Sequence, residues 1–154
     1  MMISAKAEYA CAAMMELAAH YHSPTPVRIR EIYEAHGISS RFLVQILLQL
    51  KTAGLVASVR GAAGGYQLSR PPEKITLGEI IRTIESRKEP PRPALSKGKV
   101  KKTPVVEVLL GVWKETLYEI WDEARLKEQQ ALDRLTLAEL VRRTRTSDAL
   151  VYQI

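Results

Sequence analysis

The sequence predicts a mainly α-helical chain with one small β-hairpin and a long helix in its C-terminal part. Three observations carry that reading. Apolar residues recur at helical spacing through 4–20, 28–36 and 39–53. Two stretches, "LVASV" at 55–59 and "YQLS" at 66–69, alternate with period two around a loop of glycines and alanines. Val106, Leu110, Trp113, Leu117, Ile120 and Ala124 are separated by 4, 3, 4, 3 and 4 residues, an a/d seam of nearly three heptads.

Each element follows from its residues. Ser4 is placed to cap a first helix running to His20, with Tyr9, Ala13, Met14, Leu17 and Ala18 at helical spacing. "SPTP" at 23–26 stops it. Arg28 to His36 reads as a short second helix, with Ile29 and Ile32 on one side and Gly37 at its end. Ser39 or Ser40 caps a third helix reaching about Ala53, with Phe42, Leu43, Ile46, Leu47 and Leu50 as its apolar stripe and Gly54 as its terminator. The hairpin comes next. "ITLGEIIRTIE" at 75–85 is a helix with a Thr76/Glu79 capping box and an Ile75/Ile80 staple. Helix, helix–turn–helix, hairpin, helix is the order of a winged helix-turn-helix domain, assigned to 1–86.

The remainder divides in two. Residues 87–104 are basic and proline-rich, and are expected to form a disordered linker. Residues 105–154 hold the long helix and a short closing helix over "LTLAELVRR" at 135–143, with its own Thr136/Glu139 box. The heptad seam needs a cover. A second subunit, antiparallel or crossed, supplies one; packing on the chain's own first helix is the alternative. Trp121 lies beside the seam, its ring large enough to reach the N-terminal domain.

Composition narrows the function. A chain of 154 residues buries one real core. No apolar run approaches the roughly 18 residues needed to span a bilayer, and the first helix has no cationic leader, so a soluble cytoplasmic protein without a membrane partner is expected. The one cysteine excludes an intrachain disulfide and a CxxC-type metal site. Cys11 reads as a buried, inert thiol, with redox sensing as the other possibility. Net charge is +6, and the segment from Arg87 to Lys102 carries seven basic residues against Glu89 alone, which accounts for all of it. The charge suggests a polyanionic partner without marking a face. The linker is then either a solvated spacer or an electrostatic tether that steepens the salt dependence of binding. No Ser/His/Asp set or paired-carboxylate motif is present, and "GAAGG" precedes a strand and lacks a phosphate-loop lysine, so an enzyme is not expected.

The binding residues come from the helix–turn–helix and the loop. A helix–turn–helix sets the N-terminal end of its second helix into the major groove of double-stranded DNA. With the apolar stripe turned inward, Ser39, Ser40, Arg41, Val44 and Gln45 are left there. Arg41 can fork onto guanine, Gln45 onto adenine, and Val44 can meet a thymine methyl. The serines and free amides suit phosphate oxygens, while Lys51 reads as a backbone contact or a solvated charge. In the loop, Gly61, Gly64 and Gly65 with Ala62 and Ala63 let backbone amides approach phosphates. Arg60 at its base can neutralise a phosphate or enter a narrow minor groove.

The stretch from "ISSRFLVQILLQLKTAGLVASVRGAAGGYQL" to "ITLGEIIRTIE" resembles the core of the Rrf2 family of bacterial regulators. "SAKAEYACAAMMELA" is similar to the family's first helix, and "VWKETLYEIW" with "LTLAEL" to its dimerisation helix and tail. The resemblance implies a homodimeric winged-helix transcription factor on a two-fold operator, and a repressor is expected because operator occupancy commonly blocks a promoter. Its DNA-contact positions fall on Ser39, Arg41, Val44, Gln45, Arg60 and Gly61. Two departures stand out. Several members bind an iron–sulfur cluster through three cysteines before the dimerisation helix, where this chain has its cysteine-free linker, so no cofactor or metal is expected. Glu8 matches an acidic ligand position but reads as solvated or ion-paired, and His20 and His22 as capping or exposed. Val44 stands where a glutamate is frequent, which implies a different operator. Two other readings keep their place: a redox or small-ligand sensor with an effector near Glu8, Cys11, Tyr9, Trp113 and Trp121, and a winged-helix adaptor for a partner protein.

Overall fold

The computed structural model describes residues 3–85 and 104–151. Six α-helices and one hairpin follow in the order α1 (Ala5–Ala19), α2 (Ile29–His36), α3 (Ser40–Thr52), β1 (Val56–Val59), β2 (Gly65–Leu68), a 3₁₀ turn (Pro72–Lys74), α4 (Leu77–Glu85), α5 (Pro104–Arg134) and α6 (Leu137–Val151). The expected linker, apart from Pro104, lies outside the described residues.

Helix boundaries sit where capping chemistry puts them. The Ser4 hydroxyl accepts from the Ala7 amide at 3.2 Å, and the Ser39 hydroxyl from the Phe42 amide at 3.3 Å. Gly37 ends α2 in the left-handed region, with φ 63°. In α4 only half of the anticipated box forms as drawn. The Thr76 hydroxyl accepts from the Glu79 amide at 3.2 Å, while the Glu79 carboxylate takes Arg70 at 2.6 Å.

The chain divides into two units, 1–86 with 131–154, and 87–130. The last helix therefore belongs with the N-terminal domain rather than with the long helix, as the 105–154 division had it. Leu137 of α6 is fully buried in the first unit's core. The segments before α4 and α6 also pair, with the Leu77 amide on the Leu135 carbonyl at 2.8 Å and the Leu137 amide on the Ile75 carbonyl at 2.9 Å.

That core is built around α1. Ala7, Ala10 and Ala13 bring small side chains to the centre, so neighbouring helices approach closely, while Met14 and Leu17 fill the space beside them. Against them lie Ile32 of α2, Leu43, Ile46, Leu47 and Leu50 of α3, and Ile80 and Ile84 of α4. No polar or charged residue is buried among the described residues.

α6 is longer than expected. The sequence predicts a short closing helix over 135–143, and the helix continues to Val151. Thr144, Thr146 and Ser147 each donate a hydroxyl to the carbonyl four residues back, at 3.1 Å in every case. Their polar groups are thus satisfied inside the helix rather than at its end.

Candidate nucleic-acid interface

α3 is held from behind. Its four inward residues, Leu43, Ile46, Leu47 and Leu50, are completely buried, and Phe42 meets Tyr9 edge-on at 5.9 Å. Gln49 adds a polar anchor that the sequence pattern did not disclose. Its amide nitrogen donates to the Thr83 carbonyl at the end of α4 (2.9 Å), and its oxygen accepts from Lys6 of α1 (2.7 Å). Side chains and backbone of α1 and α4 therefore set the position of α3.

This leaves the other face of α3 open. Ser39, Ser40, Arg41, Val44 and Gln45 are all exposed, at one end of one helix, as the sequence reading placed them. The Ser39 oxygen already accepts at the helix cap, which leaves its hydroxyl proton to donate outward. Lys51 is engaged: its ammonium donates to the Ser58 hydroxyl on β1 at 2.5 Å, tying the end of α3 to the hairpin.

The hairpin pairs Val56 with Leu68 through to Val59 with Gly65, antiparallel. Val27, from the turn before α2, adds a bridge to Tyr66 through two backbone bonds of 2.9 and 2.8 Å. The glycines divide their roles. Gly61, at φ 111°, makes the turn that a side chain would resist. Gly64 and Gly65 are needed inside the hairpin instead: a Cβ on either would overlap the Val59 or the Val27 carbonyl oxygen respectively. Arg60 and Gly61 to Ala63 stand exposed at the tip.

Electrostatics mark the same surface. From Ala35 to Pro72 the sequence contains no Asp or Glu, while Arg41, Lys51, Arg60 and Arg70 all fall there. Neither Arg41 nor Arg60 has an acidic partner among the described residues. This acid-free run was readable in the sequence, where the concentration of charge in 87–102 hid it.

The expected sensor residues fall on α1 and α5. Cys11 is half-buried, and its thiol is pushed up to about 11, first by burial and then by the charges of Glu8 and Glu85. Such a thiol is poorly ionised at neutral pH. Glu8 is exposed on α1. Trp121, on the other unit, is exposed and packs edge-on with Tyr118 of its own helix at 5.8 Å. His20 caps α1, its Nδ1 sharing a hydrogen bond of 2.9 Å with the Glu16 carbonyl.

On α5 the seam residues whose side chains are described stand open. Trp113 is 75% exposed and Ile120 56%, with Leu117 and Ala124 exposed too; the side chains of Val106 and Leu110 lie outside the described set. The apolar surface is wider than a two-residue seam, since Val105, Val108, Leu109 and Val112 are exposed as well. No helix among the described residues is long and apolar enough to cross a membrane.

An outward helix without acids, beside a bare-tipped hairpin carrying a lone arginine, defines a winged helix-turn-helix DNA-binding protein. Comparison with known proteins makes the class particular. The family model Rrf2, described as "Iron-dependent Transcriptional regulator", matches residues 3–143. An rrf2-like helix-turn-helix regulator of Rhodobacter capsulatus is 43% identical over 98 residues, 62% of this chain and 65% of that protein. CymR of Bacillus subtilis, a helix-turn-helix transcriptional regulator, is 35% identical over 91% of this chain and 89% of its own length. The solved structure of T. potens IscR superposes with a TM-score of 0.70 at 31% identity, over 94% of this chain and 88% of that one. The chain belongs to the Rrf2 family, and is a DNA-binding transcriptional regulator.

The family description includes iron, and an iron–sulfur cluster makes a specific demand on the donor set. A cysteine-ligated cluster takes several thiolates, and the chain has one cysteine, with a raised pKa. Among the described residues no three His, Cys, Asp or Glu side chains are grouped to hold a metal ion. These residues do not fit such a cluster.

Proposed function

We propose that the chain represses transcription as a homodimer on a two-fold DNA site, without a cysteine-ligated cluster. Arg41, Val44 and Gln45 of α3 read bases in the major groove. Ser39, Ser40 and the first amides of α3 hold phosphates, and Arg60 with the Gly61–Gly65 tip rests on the neighbouring backbone. The observation that carries this reading is the single exposed face joining Arg41, Val44 and Gln45 on a helix whose other side is fully buried. The open apolar face of α5 supports pairing with a second copy, because a contiguous apolar surface of this kind is normally covered. Repression follows from occupancy: a dimer gripping two half-sites about 34 Å apart excludes polymerase from an overlapping promoter.

The test is binding to a palindromic duplex selected from random sequence. Arg41→Ala costs about 1–3 kcal/mol and loosens preference at one base pair of each half-site. An unchanged preference removes Arg41 from base reading.

A further inference from the structure

The first unit leaves few large apolar side chains in water. Two of them, Val44 and Leu48, are 48% and 63% exposed and lie one turn apart on α3. Steps of three and four residues put Arg41, Val44, Gln45 and Leu48 on one helical face. Leu48 contributes nothing to the core, which Leu43, Ile46, Leu47 and Leu50 fill from the opposite side. Its exposed neighbours one turn away are Val44, Gln45, Lys51 and Thr52, and the Lys51 ammonium is held by the Ser58 hydroxyl of β1. An isobutyl group makes no hydrogen bond. On the floor of a major groove the apolar group it can meet is the C5 methyl of a pyrimidine.

We propose that Leu48 is a specificity residue, forming with Val44 an apolar strip that reads pyrimidine C5 methyl groups, those of thymine or 5-methylcytosine. The inference rests on α3 entering the major groove. Four residues of helix rise about 6 Å and one base step about 3.4 Å, so the two side chains address methyls up to two steps apart. Arg41 supplies a hydrogen-bonding contact at the start of the face, and Leu48 extends the reading one turn further along it.

The experiment uses the full chain and a duplex selected by it from a random pool. The duplex is remade with deoxyuridine for thymidine, one position at a time, and with 5-methyldeoxycytidine for deoxycytidine. For the unaltered chain, each methyl met by the strip is expected to change affinity about fourfold, the weight of one buried carbon. The uridine arm reports thymine and the methylcytosine arm the modified base. Leu48→Ala abolishes the difference at one position per half-site, and Leu48→Met retains it. Thermal unfolding confirms that both variants fold. Methyl effects identical in the unaltered chain and Leu48→Ala overturn the proposal. If Arg41→Ala still alters base preference in that case, only the Leu48 assignment fails. If it does not, α3 is not the reading helix.

Discussion

Cys11 shows how a residue's setting decides its chemistry. Its thiol lies at about 11, chiefly through burial, against about 8.5 in an unfolded chain. The unfolded state therefore loses its proton first as pH rises. The corresponding stability is fully present below pH about 8.5 and is lost on the way to about 11. Alkylation by iodoacetamide follows the same order: the native chain should react appreciably only as pH approaches 11, and the urea-unfolded chain near 8.5. Coincident rate profiles would show an exposed thiol and reopen a redox role for it. The pattern around Cys11, alanines and methionines at helical spacing, disclosed that burial in advance. Glu8, three residues back on the same helix, was visible there, whereas Glu85 was not, because it is remote in sequence.

At the scale of elements, the hairpin and α3 separate what a pattern reveals from what it hides. Period-two alternation located both strands to within a residue, and the caps at Ser4 and Ser39 followed from local chemistry. Non-local pairing left no trace. Nothing in "SPTPVR" announces that Val27 will bond to Tyr66, or that Gln49 will reach the end of α4. The glycine-rich loop was read as serving a partner, whereas Gly64 and Gly65 first serve the fold. Gly65→Ala should therefore lower stability by about 1–3 kcal/mol, since the added carbon overlaps the backbone of Val27 and no flexible side chain can yield. Urea unfolding measures it, and an unchanged midpoint would contradict this packing. α6 teaches the reverse lesson. The helix runs on past the short segment expected, and its hydroxyls bond back to the preceding turn.

For the whole molecule, the proposed pairing with a second copy rests on the apolar face of α5. Leu117→Asp places a charge in the middle of the heptad seam, and sedimentation should show the dimer replaced by monomer, with affinity for a palindromic duplex falling at least tenfold. A variant that stays dimeric would move the interface elsewhere. The heptad spacing was legible from residue order alone. The breadth of the exposed surface was not, because Val105, Val108, Leu109 and Val112 lie off the a/d positions. The attachment of α6 to the first unit was equally hidden, since it depends on Leu137 entering a core formed by residues far away in sequence.

The most direct check on the reading role of α3 is methylation interference at guanine N7 on the selected duplex. The unaltered chain should be blocked by methylated guanines in two clusters about one helical turn apart, and Arg41→Ala should lose one guanine from each cluster. The same interference pattern for both proteins would contradict the placement of this helix in the groove.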